Sequence, residues 1–224
     1  MPEGRTMLVL AHRGYHARHP ENTLEAFAAA AREGVDGIET DVRLSVEGIP
    51  LLVHDRVTPR GRAVSGLTRD EVGRDYGHAV PRLEEALEAQ PGLLWNVEIK
   101  HPEAVRATLA VLAPLAGKRR LLVTAFRHDV VAAVAAALPR LDCGLLGAHR
   151  PSNLAALTQG AAANVRTLVW DYNILDPVLV TEARERGWRT AVYGAVTEDE
   201  HRSCAALPLD ALITDYPERV RFTA

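Results

Sequence analysis

Short apolar runs rich in Val, Leu and Ile recur along the chain, with segments of helical periodicity between them, and this alternation constrains the fold more than any other feature. It is the pattern of βα units wound around a parallel sheet. Eight strands are expected, near 8–12, 36–42, 94–100, 121–125, 142–147, 167–171, 189–194 and 210–214. Eight such units close a barrel, so the fold class is an α/β TIM (β/α)8 barrel occupying one domain over 1–224. The first connecting helix is the clearest. Asn22 is its expected N-cap with Glu25 three residues on, Leu24, Phe27, Ala28 and Ala31 form its apolar stripe, and Gly34 stops it.

Leu51-Leu52-Val53 is a ninth strand signal that the barrel cannot hold. A hairpin inserted after strand 2 removes the surplus. With Glu47-Gly48 as a two-residue turn, Val46 faces Ile49, Leu44 faces Leu51, Val42 faces Val53, and His54 comes to lie across from Asp41. The following stretch, 55–80, carries Pro59, Gly61, Gly66, Gly73 and Gly77 among many charges, and reads as a loop with one or two helical turns at most.

Barrel enzymes draw their chemistry from the C-terminal ends of their strands. Polar side chains gather at those ends here: His12 and Arg13 after the first strand, Glu39 and Asp41 after the second, Glu98 and Lys100 after the third, with His54 returned to the same rim by the hairpin. Residues two apart in a strand share a face, so Glu39 pairs with Asp41 and Glu98 with Lys100. Three carboxylates in one mouth repel unless a cation joins them, and an all-oxygen donor set suits Mg²⁺ or Ca²⁺. The plainer alternative is ion pairing of Glu39 and Asp41 with Arg13 and Arg43. Of the 26 basic side chains only Lys100 and Lys118 are lysines, which makes an ammonium two residues after a strand-end glutamate notable.

Composition narrows the partners. A net charge of −3 gives no excess of positive charge for a nucleic-acid backbone, so the expected partner is a small molecule. Cys143 and Cys204 lie far apart with no zinc-finger spacing, no stretch has the length of a membrane span, and the apolar run before His12 is shorter than a secretion signal. These features predict a cytoplasmic protein; they leave oligomeric state open.

His12-Arg13-Gly14, Pro20-Glu21-Asn22-Thr23 with Phe27, Glu39-Thr40-Asp41-Val42, His54-Asp55, Glu98-Ile99-Lys100 and Ile213-Thr214-Asp215-Tyr216-Pro217 follow one another at spacings that resemble the glycerophosphodiester phosphodiesterase family. Pro81-Arg82-Leu83-Glu84-Glu85 is similar to the family's entry to the helix before the Glu-x-Lys strand. The resemblance spans nearly the whole chain. It implies a metal-dependent barrel that cleaves glycerophosphodiesters into sn-glycerol 3-phosphate and an alcohol. Carried over by position, Glu39, Asp41 and Glu98 match metal ligands for Mg²⁺ or Ca²⁺, His12 and His54 match the acid and base, and Arg13 and Lys100 match phosphate contacts. The seventh strand departs from the family, reading Val192-Tyr193-Gly194-Ala195-Val196 where a Trp-Thr-Val-Asn-like stretch usually walls the glycerol pocket.

Phe126, Trp170 and Tyr172 are candidates for the pocket rim, Phe126 being the one taken as substrate-binding. His16, His19 and His201 receive no role, and Asp215 reads first as a helix cap. Two other classes compete. A Schiff-base aldolase on Lys100 predicts borohydride trapping without a metal requirement, and a non-catalytic phosphate-binding barrel predicts metal binding without hydrolysis.

Overall fold

The computed structural model describes residues 7–220; the remaining ends of the expected 1–224 domain, 1–6 and 221–224, lie outside the described residues. The eight expected strands form, within a residue or two at most ends: β1 Leu8–His12, β2 Gly37–Leu44, β4 Leu94–Ile99, β5 Leu121–Ala125, β6 Asp142–Gly147, β7 Val165–Asp171, β8 Arg189–Tyr193 and β9 Ala211–Thr214. They pair in parallel in the order β1-β9-β8-β7-β6-β5-β4-β2, and β2 returns to β1, closing the barrel. The extra strand, β3 Pro50–Leu52, pairs antiparallel with the end of β2 and stands outside the ring.

Helices α1 Leu24–Arg32, α3 Leu83–Ala89, α4 Val105–Leu112, α5 His128–Ala137, α6 Leu154–Thr158, α7 Pro177–Glu185 and α8 Glu198–Ala205 cross between strands, and α2 Arg69–Tyr76 belongs to the insertion. Apolar faces of these helices meet the outward faces of the strands. Phe27 of α1 packs edge-on against Trp95 of β4, their ring centroids 5.1 Å apart, both fully buried. Among the described residues no helix is long and apolar enough to cross a membrane.

Three local readings differ from expectation. The N-cap of α1 is Thr23, extended at φ −110° and accepting from the Ala26 amide, rather than Asn22. Asn22 cannot serve because it adopts a left-handed φ of 56° and its amide group is committed to β2. The hairpin register lies one residue away from the expected one: Val42 pairs with Leu52, and Leu44 with Pro50. The loop has three residues, Val46-Glu47-Gly48, because the Ser45 amide donates to Ile49 and Gly48 takes φ 77°, a bulged turn that consumes one more residue than a two-residue turn. Val53 therefore faces Asp41, its amide donating to the Asp41 carbonyl at 3.1 Å, and His54 comes one step later.

The third difference is the order found in 55–80. Helix α2 has the two turns allowed for it, closed by a Thr68–Glu71 capping box and left-handed Gly77. A separate apolar cluster of Leu51, Val53, Val64, Leu67, Val72 and Val80 lies beneath it. Asp75 anchors the segment, accepting from Thr58 at 2.7 Å and from two nitrogens of Arg62 at 2.9 and 2.7 Å.

Candidate active site at the barrel mouth

The ends of β1, β2 and β4 bring the predicted residues together. Parallel pairing sets His12 beside Glu39 and Asp41 beside Glu98, so the two strand pairs place their acids at one level of the barrel. Glu39, Asp41 and Glu98 are all buried, and one oxygen from each lies within 4.8 Å of the others. A cavity of about 210 Å³ opens above them, lined by His12, Arg13, His54, Lys100, Phe126 and Tyr193 among others.

The carboxylates are not equivalently served. Lys100 Nζ lies 2.8 Å from Asp41 Oδ1 and 2.7 Å from Glu98 Oε1, while Arg13 Nε lies 3.2 Å from Asp41 Oδ2. Burial works against the charge of Asp41, but Lys100 and Arg13 outweigh it and hold its carboxyl below the ordinary value. Among the described residues Glu39 accepts only from the Arg13 backbone amide, at 3.2 Å, and stands 3.7 Å from His12 Nε2. Burial and the facing charges of Asp41 and Glu98 push its carboxyl well up. Glu98 is also raised, by burial first. Such a set of oxygen donors, crowded, buried and short of positive charge at Glu39, fits a hard divalent cation.

Backbone shape at the first loop makes this arrangement possible. Arg13 has φ 53° and Gly14 φ 79°; a Cβ on Gly14 would come 2.8 Å from the Ala26 backbone, so only glycine lets the turn lie against α1. The turn swings Arg13 back over the site, where its guanidinium also meets Glu21 at 2.8 Å. Asn22, 2% exposed, donates to Asp41 Oδ2 at 3.0 Å and accepts from the Thr40 hydroxyl at 2.6 Å. It orients the carboxylate from beneath.

The imidazoles occupy different walls. His12 Nδ1 lies 2.6 Å from Asp215 Oδ1, which leaves Nε2 turned toward Glu39 and the cavity. His54 contacts the exposed Asp55 at 2.9 Å, and its carbonyl accepts from Arg43 Nε at 2.8 Å. Burial lowers the His54 pKa, against the pull of Asp41. His54 thus reaches the cavity although Val53, not His54, is the residue across from Asp41.

Asp215, which the sequence reads first as a helix cap, turns its carboxylate to His12 and His16 and is held far below the ordinary range by hydrogen bonds against the cost of burial. It is positioned by a buried chain behind the rim. His201, fully buried, contacts the Thr214 hydroxyl at 2.7 Å, and that oxygen accepts from the Tyr216 amide at 3.0 Å. The Thr214–Tyr216 link is a local turn contact, whereas the His201–Thr214 link spans 13 residues and has no local sequence signal.

The rim is aromatic, but differently composed. Phe126, 40% exposed, meets Tyr193 edge-on at 6.2 Å, and both line the cavity. Tyr193 supplies a wall from the end of β8. Trp170 is 1% exposed and belongs to the core, with Tyr172 packed against it, so neither is a rim residue. Asn96 was not foreseen on the cavity floor. Its Oδ1 accepts from Thr124 at 2.8 Å.

Lys100 does not suit Schiff-base chemistry. Burial opposes its charge, but Asp41 and Glu98 raise its pKa above the ordinary value, whereas an amine nucleophile must be deprotonated.

A closed parallel barrel with acids, imidazoles and cationic side chains converging on one cavity defines a barrel enzyme equipped for phosphate-ester chemistry. The Glycerophosphoryl diester phosphodiesterase family model matches residues 12–219. A glycerophosphodiester phosphodiesterase of Caldanaerobacter subterraneus subsp. tengcongensis is 27% identical, the match covering 94% of this chain and 95% of the relative. One from Bacillus altitudinis is 25% identical over 94% and 95%. The structure of an Oleispira antarctica phosphodiesterase in complex with the product sn-glycerol-3-phosphate superposes with a TM-score of 0.86 at 25% identity, covering 96% of this chain and 95% of that one. This chain belongs to the glycerophosphoryl diester phosphodiesterase family.

Proposed function

We propose that the chain hydrolyses glycerophosphodiesters to sn-glycerol 3-phosphate and an alcohol, using one divalent cation, Mg²⁺ or Ca²⁺, and two proton-carrying histidines. The observation that carries this reading is the cavity whose wall joins Glu39 and Glu98, clustered with the buried Asp41, to His12 and His54. Family membership and the product bound by the Oleispira antarctica relative support the substrate class.

Glu39, Asp41 and Glu98 would hold the cation, which when bound supplies electrostatic stabilisation to the charge gathering on the phosphate oxygens. Arg13 and Lys100 add fixed positive charge beside the phosphate in a mouth where water screens poorly. His12 and His54 divide the proton work, because in-line displacement admits a group on one face of phosphorus and expels one on the other. Asp215 keeps the His12 proton on Nδ1, so that Nε2 is the working nitrogen. Phe126 and Tyr193 form an apolar rim against the carbon atoms of glycerol or of the departing alcohol.

Single His12→Ala and His54→Ala variants tested on a natural diester and on a nitrophenyl diester examine this division. Each is expected to lose roughly 10²–10⁴-fold in turnover on the natural diester. On the nitrophenyl substrate, whose leaving group needs no proton, one of the two recovers most of its rate. Undiminished losses for both variants on that substrate would contradict the division of labour.

A further inference from the structure

Beside the carboxylate cluster lies a second group of potential ligands with different chemistry. His12 ends β1, His16 follows it by one turn of the first loop, and Asp215 follows β9. Asp215 Oδ1 lies 2.6 Å from His12 Nδ1 and 2.7 Å from His16 Nε2. The two rings are 5.5 Å apart and nearly perpendicular, so both nitrogens converge on one carboxylate instead of stacking. All three potential ligand atoms lie within 4.8 Å of one another. The side chains keep 21%, 23% and 33% of their exposure, while the His16 Nε2 atom itself is buried.

We propose that His12, His16 and Asp215 form a binding site for a borderline transition-metal ion such as Zn²⁺, and that its occupation switches the enzyme off. Two imidazoles and one carboxylate make a donor set that prefers zinc, cobalt or copper to magnesium or calcium, the opposite preference to that of Glu39, Asp41 and Glu98. Zn–N and Zn–O bonds of about 2.0–2.2 Å require donor atoms roughly 3.3 Å apart in a tetrahedral arrangement, so each contact opens by less than about 1 Å to admit the ion. Cys143 and Cys204 offer no rival site, since both are buried and burial pushes their thiols up to about 12 and about 11.

Inhibition rests on the proposed proton transfer by His12. An ion on Nδ1 leaves the single proton of the neutral ring on Nε2, which then cannot accept another. The ion also takes the Asp215 carboxylate that otherwise fixes the ring. His16 is the specific element, because it reaches the shared carboxylate while standing outside the cavity lining.

The test uses the full chain in millimolar Mg²⁺, titrated with Co²⁺ or with Zn²⁺ against a chromophoric chelator. The unmutated protein is expected to bind one equivalent, to develop visible Co²⁺ bands and to show paramagnetically shifted ring protons from two histidines. His16→Gln is expected to weaken binding at least about tenfold while keeping basal turnover, and to need correspondingly more Zn²⁺ for equal inhibition. No binding by the unmutated protein, or equal binding by His16→Gln, would overturn the site. Binding that requires His16 yet leaves turnover untouched would retain the ion site and refute both the switch and the proton role of His12. The histidine shifts are read on the unmutated protein, so they decide the ligands even if the variant folds poorly.

Discussion

Replacing Asp215 by Asn removes one negative charge and almost no volume, which makes it a clean probe of the His12 wall. In the native site Oδ1 lies 2.6 Å from His12 Nδ1, a short contact at which the carboxylate holds the ring and favours a proton on Nδ1. An amide can turn its nitrogen toward Nδ1, favouring the tautomer with the proton on Nε2, the wrong one for a base facing the cavity. Losing a hydrogen bond to a charged group costs about 1.5–3 kcal/mol. At about 1.4 kcal/mol per decade this is roughly a 10- to 150-fold fall in kcat. Steady-state release of sn-glycerol 3-phosphate measures it. Affinity for the divalent cation should hold, because Asp215 lies outside the Glu39, Asp41 and Glu98 group. In a His12→Ala background the same change should add little, since a positioning group has nothing left to position. A kcat within about twofold of the unmutated enzyme, or an equal loss in both backgrounds, would refute the argument.

Two further outcomes concern stability. Asn22→Gly keeps the left-handed backbone but orphans the buried Thr40 hydroxyl and strips the buried Asp41 Oδ2 of its hydrogen bond from Asn22, leaving it the Arg13 Nε contact, at about 1–3 kcal/mol for each lost bond. Urea unfolding should show a loss of at least about 2 kcal/mol, and a loss below about 0.5 kcal/mol would remove Asn22 from the support of the site. Hydrogen bonds from Arg62 and Thr58 lower the Asp75 carboxyl to about 2. Because the folded value lies below the unfolded one, near 3.9, this stabilisation is present above that value and is lost as pH falls toward about 2. The gap in urea midpoint between the unmutated protein and Asp75→Asn should therefore shrink on acidification, and a constant gap would contradict it.

The barrel was legible because its strands are apolar runs buried on both faces and its helices carry continuous stripes; both patterns are local. The acid cluster was legible for the same reason, since Glu39 with Asp41, and Glu98 with Lys100, need only the two-residue period of a strand. What escaped depends on geometry that no short window encodes. The hairpin slipped by one because a third loop residue is decided by the left-handed turn at Gly48, not by the apolar pattern of its arms. Asn22 passed for a helix cap because its amide chemistry is the same in either job, and only the approach of β2 shows which partner it takes. Asp215 and His12 meet across 203 residues of chain, through the closure of β9 against β1. Similarly, Tyr193 became a cavity wall only through Phe126 from a distant strand end, whereas Trp170, one face of the pleat away from the barrel interior, is drawn into the core.

The central claim is that glycerophosphodiester hydrolysis at this mouth needs a divalent cation held by Glu39, Asp41 and Glu98. Its most direct test is the release of sn-glycerol 3-phosphate from a panel of glycerophosphodiesters by protein stripped with chelator, then supplied with Mg²⁺ or Ca²⁺. No turnover is expected in the stripped protein, with restoration by one of the two ions, and a Glu39→Gln variant should fold normally but need far more ion for the same rate. Full turnover by stripped protein in metal-free buffer would contradict it.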